Sequence, residues 1–305
     1  MELRQLLYTV QIAKERNFSR AAEKLHIAQP SLSQQLSKLE KELGVLLFQR
    51  NTNSVELTHA GALFVDKAQQ ILDNVDGLRR EMEDISQMKK GRLVFGSMPI
   101  TGSTILPLVL PIFQQQYPQI EIVLVEETST NLETLTANGG TDLSLLSLPL
   151  QHESLSYEHL LDEEIMLALP PNHRLVESHL NADGTTTPIT IDELIHEPFI
   201  ALKKNQGLRQ FTRELCEDSG FTPTIVFESS NIETVQSLVA AGMGIAFVPY
   251  MITKRASSDL TPVHLPLAIQ PVRTLVLAYR KGRYVSNAAK AFIDTMKSVM
   301  QNKGH

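Results

Sequence analysis

Between Ser19 and Arg50 the sequence runs SRAAEKLHIAQPSLSQQLSKLEKELGVLLFQR, a stretch that leaves little freedom for local structure. Ala21, Ala22 and Leu25 mark a short amphipathic helix that Ser19 can cap. Pro30 suits the first turn of a second helix, where its missing N–H is not needed. Leu32, Leu36, Leu39 and Leu43 then recur at steps of four, three and four, a single buried stripe, and Gly44 supplies the stop. The spacing turns Gln29, Ser31, Ser33, Gln34 and Lys38 outward. A second helix with small polar donors at its N-terminal end is suited to a DNA major groove. Glutamine can bridge adenine N6 and N7, and serine can reach bases or phosphates. A three-helix packing unit with a polar outer face fits the spacing equally well.

The flanks extend this unit. Residues 2–15 read as an amphipathic helix with Leu3, Leu6, Leu7, Val10 and Ala13 on one face, completing a core with Phe18, Ile27 and Leu32. After Gly44 come apolar Val45 to Phe48, Arg50, a polar tip at 51–54, and Val55 to Leu57, the pattern of a hairpin wing. Arg50 and Thr52 are candidate contacts to a DNA backbone or minor groove, a solvated turn being the alternative. Thr58 opens the next helix, where Phe64, Ala68, Ile71, Val75, Leu78, Met82 and Ile85 recur every 3.5 residues. A surface helix would drift towards 3.6, so the seam predicts a coiled coil with the same helix of a second copy. Packing on the chain's own C-terminal part is the rival. Lys89, Lys90 and Gly91 are expected to close the helix.

From Arg92 onward, strand and helix patterns alternate. Strands are expected at 93–96, 121–127 and 142–148, with helices at 103–116 and from Asn131 to about Ala137. A second set places strands at 163–170, 198–202, 224–229, 244–249 and 274–280, with helices at 207–219, 231–241 and 286–300. This alternation predicts mostly parallel sheets in two α/β lobes, with ligands beyond the carboxyl ends of strands, at helix N-termini.

Composition narrows the class. Residues 1–58 carry eight basic and six acidic groups, a balance of +2, while the remainder holds 20 and 28, or −8. The acidic bulk thus lies away from the proposed DNA-reading end. Cys216 is the single cysteine, which excludes an intrachain disulfide and CxxC motifs, and its neighbours Phe211, Leu215 and Phe221 mark it as a core residue. No nucleophile elbow, P-loop, zinc motif or glycine-rich dinucleotide loop is present, so no enzyme is expected. Histidines such as His152, His159, His173 and His196 lack ligand spacing and read as surface residues; no metal and no cofactor are expected. Neither a signal peptide nor a membrane-spanning apolar run is found, which predicts a cytoplasmic protein and argues against a transport-type solute-binding module.

ArgAlaAla at 20–22, Leu25, GlnPro at 29–30, LeuSer at 32–33, LeuGlu at 39–40, LeuGly at 43–44, LeuPhe at 47–48, Arg50, Thr58 and Gly61 resemble the LysR-type transcriptional regulators. The segment LVAAGMGIAFVP at 238–249 extends the resemblance into the C-terminal half. It implies an α+β multidomain fold. A winged helix-turn-helix would span 1–58 and a coiled-coil linker helix 59–90. A two-lobed α/β effector-binding domain resembling periplasmic binding proteins would span 91–305, with lobe I at about 91–161 and 267–305 and lobe II at about 162–266.

The implied function is sequence-specific DNA binding controlled by a small-molecule effector held between the lobes. Effector binding would change lobe closure and hence the spacing of paired recognition helices. The implied partners are double-stranded DNA with a dyad-like site, the effector, a second copy in a homodimer or homotetramer, and RNA polymerase, with no membrane. Gln29, Pro30, Ser31, Ser33, Gln34, Lys38, Arg50 and Thr52 are the expected DNA contacts. Ser97, Met98, Ile100, Thr101, Thr128, Ser129 and Ser147 are expected at the effector from lobe I, and Lys203, Asn205, Ser229 and Asn231 from lobe II. Thr130–Glu133 and Ser230–Glu233 also read as capping boxes, so each hydroxyl could merely cap a helix. Hydroxyls, helix N-termini and lysines together favour an anionic or hydroxyl-bearing small molecule, a small carboxylate being the preferred candidate. Two departures stand out: Ala28, where many relatives place a capping serine or threonine, and Gln34, where many carry arginine.

Overall fold

Three helices and a hairpin open the chain: α1 (Leu3–Glu15), α2 (Phe18–Lys24), α3 (Gln29–Leu43), β1 (Phe48–Asn51) and β2 (Ser54–Leu57), followed by the long α4 (His59–Ile85). These belong to a computed structural model that describes residues 1–51, 54–85, 91–254 and 261–302. Two units emerge, Met1–Met88 with Gly282–Ser286, and Lys89–Lys281 with Asn287–His305.

In the first unit, Ile12, Ala21, Ala22, Leu32, Leu36, Leu39, Leu47 and Phe48 form the core, with Phe18 edge-on to Phe48. Several local expectations differ. Asn17, not Ser19, caps α2, its side chain accepting from the Arg20 N–H at 3.0 Å. The buried face of α1 is Gln5, Leu6, Thr9 and Ile12, while Leu3 and Leu7 are exposed. Thr9 can be buried because its hydroxyl donates back to the Gln5 carbonyl at 2.7 Å. Leu43 ends the α3 stripe exposed, next to the left-handed Gly44 at φ 71°.

Thr58 joins the wing to α4. Its hydroxyl donates to the Leu46 carbonyl and accepts from the Gly61 N–H, at 2.7 and 2.9 Å. A Cβ on Gly61 would lie 1.9 Å from the Leu47 carbonyl oxygen, so only glycine fits there.

The second unit contains β3 (Gly91–Ser97), α5 (Pro99–Gln116), β4 (Ile120–Glu126), α6 (Ser129–Ala137), β5 (Leu143–Ser147), β6 (Leu155–Leu169) and α7 (Arg174–His179). It continues through β7 (Pro198–Leu202), α8 (Gly207–Asp218), β8 (Thr224–Ser229), α9 (Ile232–Ala240), β9 (Ala246–Pro249), α10 (Tyr250–Thr253), β10 (Val263–Leu265), β11 (Val272–Arg280) and α11 (Asn287–Gln301). The strand order is β10-β6-β11-β5-β3-β4, with β9 also on β6 and a separate parallel pair β7-β8.

The expectation of mostly parallel sheets needs correction. Only β3 with β4 and β5, and β7 with β8, run parallel in the named strands; β11 is antiparallel to β5 and β6, and β9 and β10 are antiparallel to β6. The reason is β6, which runs unbroken across the expected lobe boundary at 161/162 and pairs with β11 along most of its length. Its first half, LSYEHLLD, buries only some positions and carries charges on others, so its strand character escapes an apolar pattern.

Each half has its own core. Phe292 stands between Phe95 and Phe113 with both ring pairs at 4.9 Å, while Phe199 and Phe247 pack in the other half.

Candidate functional site

On α3 the apolar stripe holds Leu32, Leu36 and Leu39 in the core and leaves Gln29, Pro30, Ser31, Gln34 and Lys38 exposed, with Ser33 half-buried. Gln29 Nε2 donates to Ser33 Oγ at 2.9 Å, so two of the proposed readers orient each other one helical turn apart. Ala28 caps α3 without a side-chain bond. The Glu40 carboxylate accepts from the Leu47 and Phe48 N–H groups, which ties the wing root to this helix. Arg50 lies on β1, its side chain among those not described, and Thr52 lies outside the described residues.

The seam along α4 is not one uniform stripe. Ala68 is buried and Phe64 packs against the first unit's core, whereas Ile71, Leu78 and Met82 are exposed and Val75 is half-buried. The side chain of Ile85 and residues 86–90 lie outside the described set. The first turns of α4 therefore serve the winged helix itself, and the free apolar surface lies further along. A Cβ on Gly77 would stand 3.3 Å from Tyr284 Cβ, a contact within the first unit, to which Gly282–Ser286 belong.

In the second unit two adjoining compartments, both open to solvent, share Ser129, Gly207, Leu208 and Arg273. Three helices begin at the smaller one: α5 after Met98, α6 after Thr128 and α8 after Gln206, none with a side-chain cap. Their first N–H groups thus converge on one space, a setting for negative charge.

Arg273 is the centre of the cleft. It is 8% exposed, and Nε and Nη2 both donate to Glu163 Oε2 at 2.8 and 2.6 Å. The other Glu163 oxygen accepts from the Met251 N–H at 3.2 Å. Nη2 also reaches Thr101 Oγ1 at 3.5 Å, while Nη1 has no partner among the described residues. A Cβ on Gly207 would lie 3.2 Å from Ser147 Oγ, so the walls approach closely there.

Of the residues expected at a ligand, Met98, Ile100, Thr101, Thr128 and Ser129 line the smaller compartment, and Ser129 and Ser147 the larger. Ser97, Lys203, Asn205, Ser229 and Asn231 line neither. Ser97 is turned under α5, within 2.6 Å of where a Gly102 Cβ would stand. Asn231 caps α9 by accepting from the Glu233 N–H at 2.7 Å, and Ser229 accepts from the Asn231 N–H. Asn231, rather than Ser230 with Glu233, is therefore the cap. Thr130–Glu133 is likewise no capping box: Thr128 is the N-cap of α6, and Glu133 accepts from the Gln151 and His152 N–H groups. Lys203 and Asn205 are both exposed in the turn before α8, Asn205 at φ 76°. Arg273, Glu163 and Gln206 were missed, since nothing in their local sequence marks them.

Residues 3–62 match the family model for the bacterial regulatory helix-turn-helix protein, lysR family, and residues 86–301 match that for the LysR substrate binding domain. The chain is a LysR-type transcriptional regulator. It binds DNA through the helix-turn-helix and responds to a small-molecule effector through the C-terminal domain; it is not an enzyme. The regulator is 41% identical over 311 residues to the uncharacterized HTH-type transcriptional regulator YcgK of Bacillus subtilis (strain 168), covering 99% of this chain and 95% of the relative. It is 30% identical over 302 residues to the hydrogen peroxide-inducible genes activator of Pectobacterium carotovorum subsp. carotovorum, covering 99% and 97%. The structure of full-length OxyR from Pseudomonas aeruginosa, in a cysteine-to-aspartate variant, superposes with a TM-score of 0.75 at 29% identity, covering 98% of this chain and 96% of that one.

Cys216 is fully buried, and loss of hydration pushes its thiol up to about 12. The histidines are not all superficial: His173 and His179 are largely buried against Glu197 and Glu193, at 3.1 and 3.0 Å. His264 is half-buried against Gln236, and burial lowers it to about 4. Among the described residues no cluster of three His, Cys, Asp or Glu could hold a metal ion, and no helix is long and apolar enough to cross a membrane.

Proposed function

We propose that this regulator works as a cytoplasmic homodimer, reading a dyad-like DNA site with two copies of α3 and responding to a small anionic effector at Arg273. The observation that carries the anion is Arg273 itself, a buried guanidinium with an unpartnered Nη1 where three uncapped helix starts converge. The dimer rests on Ile71, Leu78 and Met82, apolar side chains exposed along α4 at a spacing that suits a partner helix. Gln29, Ser33 and Gln34 are the base readers, with Lys38 and Arg50 on the backbone. Effector binding biases lobe closure about the β6–β11 pair, and so the spacing of the two readers; this requires one closure state to bind the effector more tightly.

A relative's name raises hydrogen peroxide as a signal; Cys216, the single thiol, is buried with its thiolate suppressed and does not favour such a response. The test is calorimetry on the full chain with a series of short carboxylates and their neutral amides, combined with footprinting on DNA from beside its own gene. Carboxylate binding that alters the footprint is expected. Equal binding of acids and amides would refute the anionic effector.

A further inference from the structure

The cleft holds buried charge of both signs. Glu133, on α6, is only 5% exposed; one carboxylate oxygen accepts from the Gln151 and His152 N–H groups at 2.7 and 3.2 Å. The other has no partner among the described residues. Glu214, on α8, lines the same larger compartment and receives one bond, from Gln210 Nε2 at 2.6 Å. Arg273 offers its free Nη1 into the same joined space, yet no ion pair within 4.0 Å connects it to either glutamate. Gln206 also lines the smaller compartment; its Oε1 is closed off from solvent and has no hydrogen bond, its amide nitrogen being committed to the Ser230 carbonyl. Glu127 also lines that compartment, but it already accepts from Asn131.

Buried charges normally complete their bonds within the protein. Here an incomplete cation and an incomplete anion face one cavity and stand too far apart to satisfy each other. A simple carboxylate would answer Arg273 and the helix starts, yet leave Glu133, Glu214 and Gln206 short of donors and place a further negative charge among them.

We infer that the effector is a small zwitterion of the amino-acid type, its carboxylate at Arg273 and its ammonium donating to Glu133, Glu214 or Gln206. This rests on the reading of Arg273 as the anion receptor and specifies what lies opposite it. Such a ligand bridges helix α6 of one half and helix α8 of the other, so the ammonium contacts close the cleft while the carboxylate anchors it.

The test is titration calorimetry and thermal shift on the full chain with the standard amino acids, each beside its deaminated acid and its decarboxylated amine at fixed ionic strength. At least one amino acid is expected to bind about tenfold or more tighter than both of its partners. Glu133→Gln should remove that preference while leaving binding of the deaminated acid unchanged. Glu214→Gln gives a second reading should Glu133→Gln fail to fold. Deaminated acids binding as tightly as amino acids would overturn the zwitterion and leave the anionic effector standing. Binding of amines or neutral compounds alone would overturn both, and no binding by any member of the panel would overturn the zwitterion.

Discussion

Replacing Glu163 by glutamine tests the centre of the cleft. Glutamine keeps the shape and an acceptor for the Met251 N–H, but it removes the charge that two Arg273 nitrogens share at 2.8 and 2.6 Å. With Glu163 at 2% and Arg273 at 8% exposure, the guanidinium would be left buried without its counter-charge. Breaking one partner of such a pair costs about 3–5 kcal/mol. At about 2–4 °C per kcal/mol for a unit of this size, the melting temperature should fall by roughly 6–20 °C.

The same substitution frees Arg273 for an anion. Acetate should therefore raise the melting temperature of the Glu163→Gln protein more than that of wild type, because binding to the folded state alone stabilises it. Scanning fluorimetry and urea titration measure both effects; urea is preferred to guanidinium, which brings its own anion. A melting temperature unchanged within about 2 °C, or equal stabilisation of both proteins by acetate, would refute the view that Arg273 is balanced between Glu163 and a ligand.

Three further outcomes are expected. Gly61→Ala places a methyl 1.9 Å from the Leu47 carbonyl oxygen, which should cost about 1–3 kcal/mol or more and weaken DNA binding, whereas wild-type stability and gel shift would contradict the packing. His264, lowered to about 4, stays neutral when folded but takes a proton near its usual 6.5 once unfolded, so stability is complete above that pH and declines as pH falls towards 4. Allowing for its partial exposure, roughly 1–2 kcal/mol should be lost between pH 7 and 5 in urea titrations, and a His264→Gln protein with the same decline would exclude this origin. Cys216, with its thiol pushed up to about 12, should resist a disulfide-exchange reagent until urea unfolds the chain; rapid labelling of the native protein would show that its burial is transient.

What the sequence determined by itself was carried by short-range periodicity. The α3 stripe at Leu32, Leu36 and Leu39, the stop at Gly44, and strands such as PFIAL at 198–202 and TIVFES at 224–229 are written in neighbouring residues; the stripe and PFIAL each meet a core, whereas Val226 and Phe227 of TIVFES are exposed. The same periodicity misled where one pattern served two partners. The seam from Phe64 onward reads as a single stripe, but its first turns belong to the winged-helix core and only later positions are free.

The hydroxyl-bearing turns at 98–101 and 128–129 were legible because they follow strands and open helices, and both line the cleft. Arg273 was not legible. It is one charged residue in a strand, and its meaning comes from Glu163, 110 residues away, from Thr101 on another helix, and from three helix starts that share no local pattern. Local sequence sets which residues become helix or strand, because those energies act between near neighbours. Which buried charges meet, and which are left facing an open cavity, depends on how distant strands pair, and only the tertiary structure decides it.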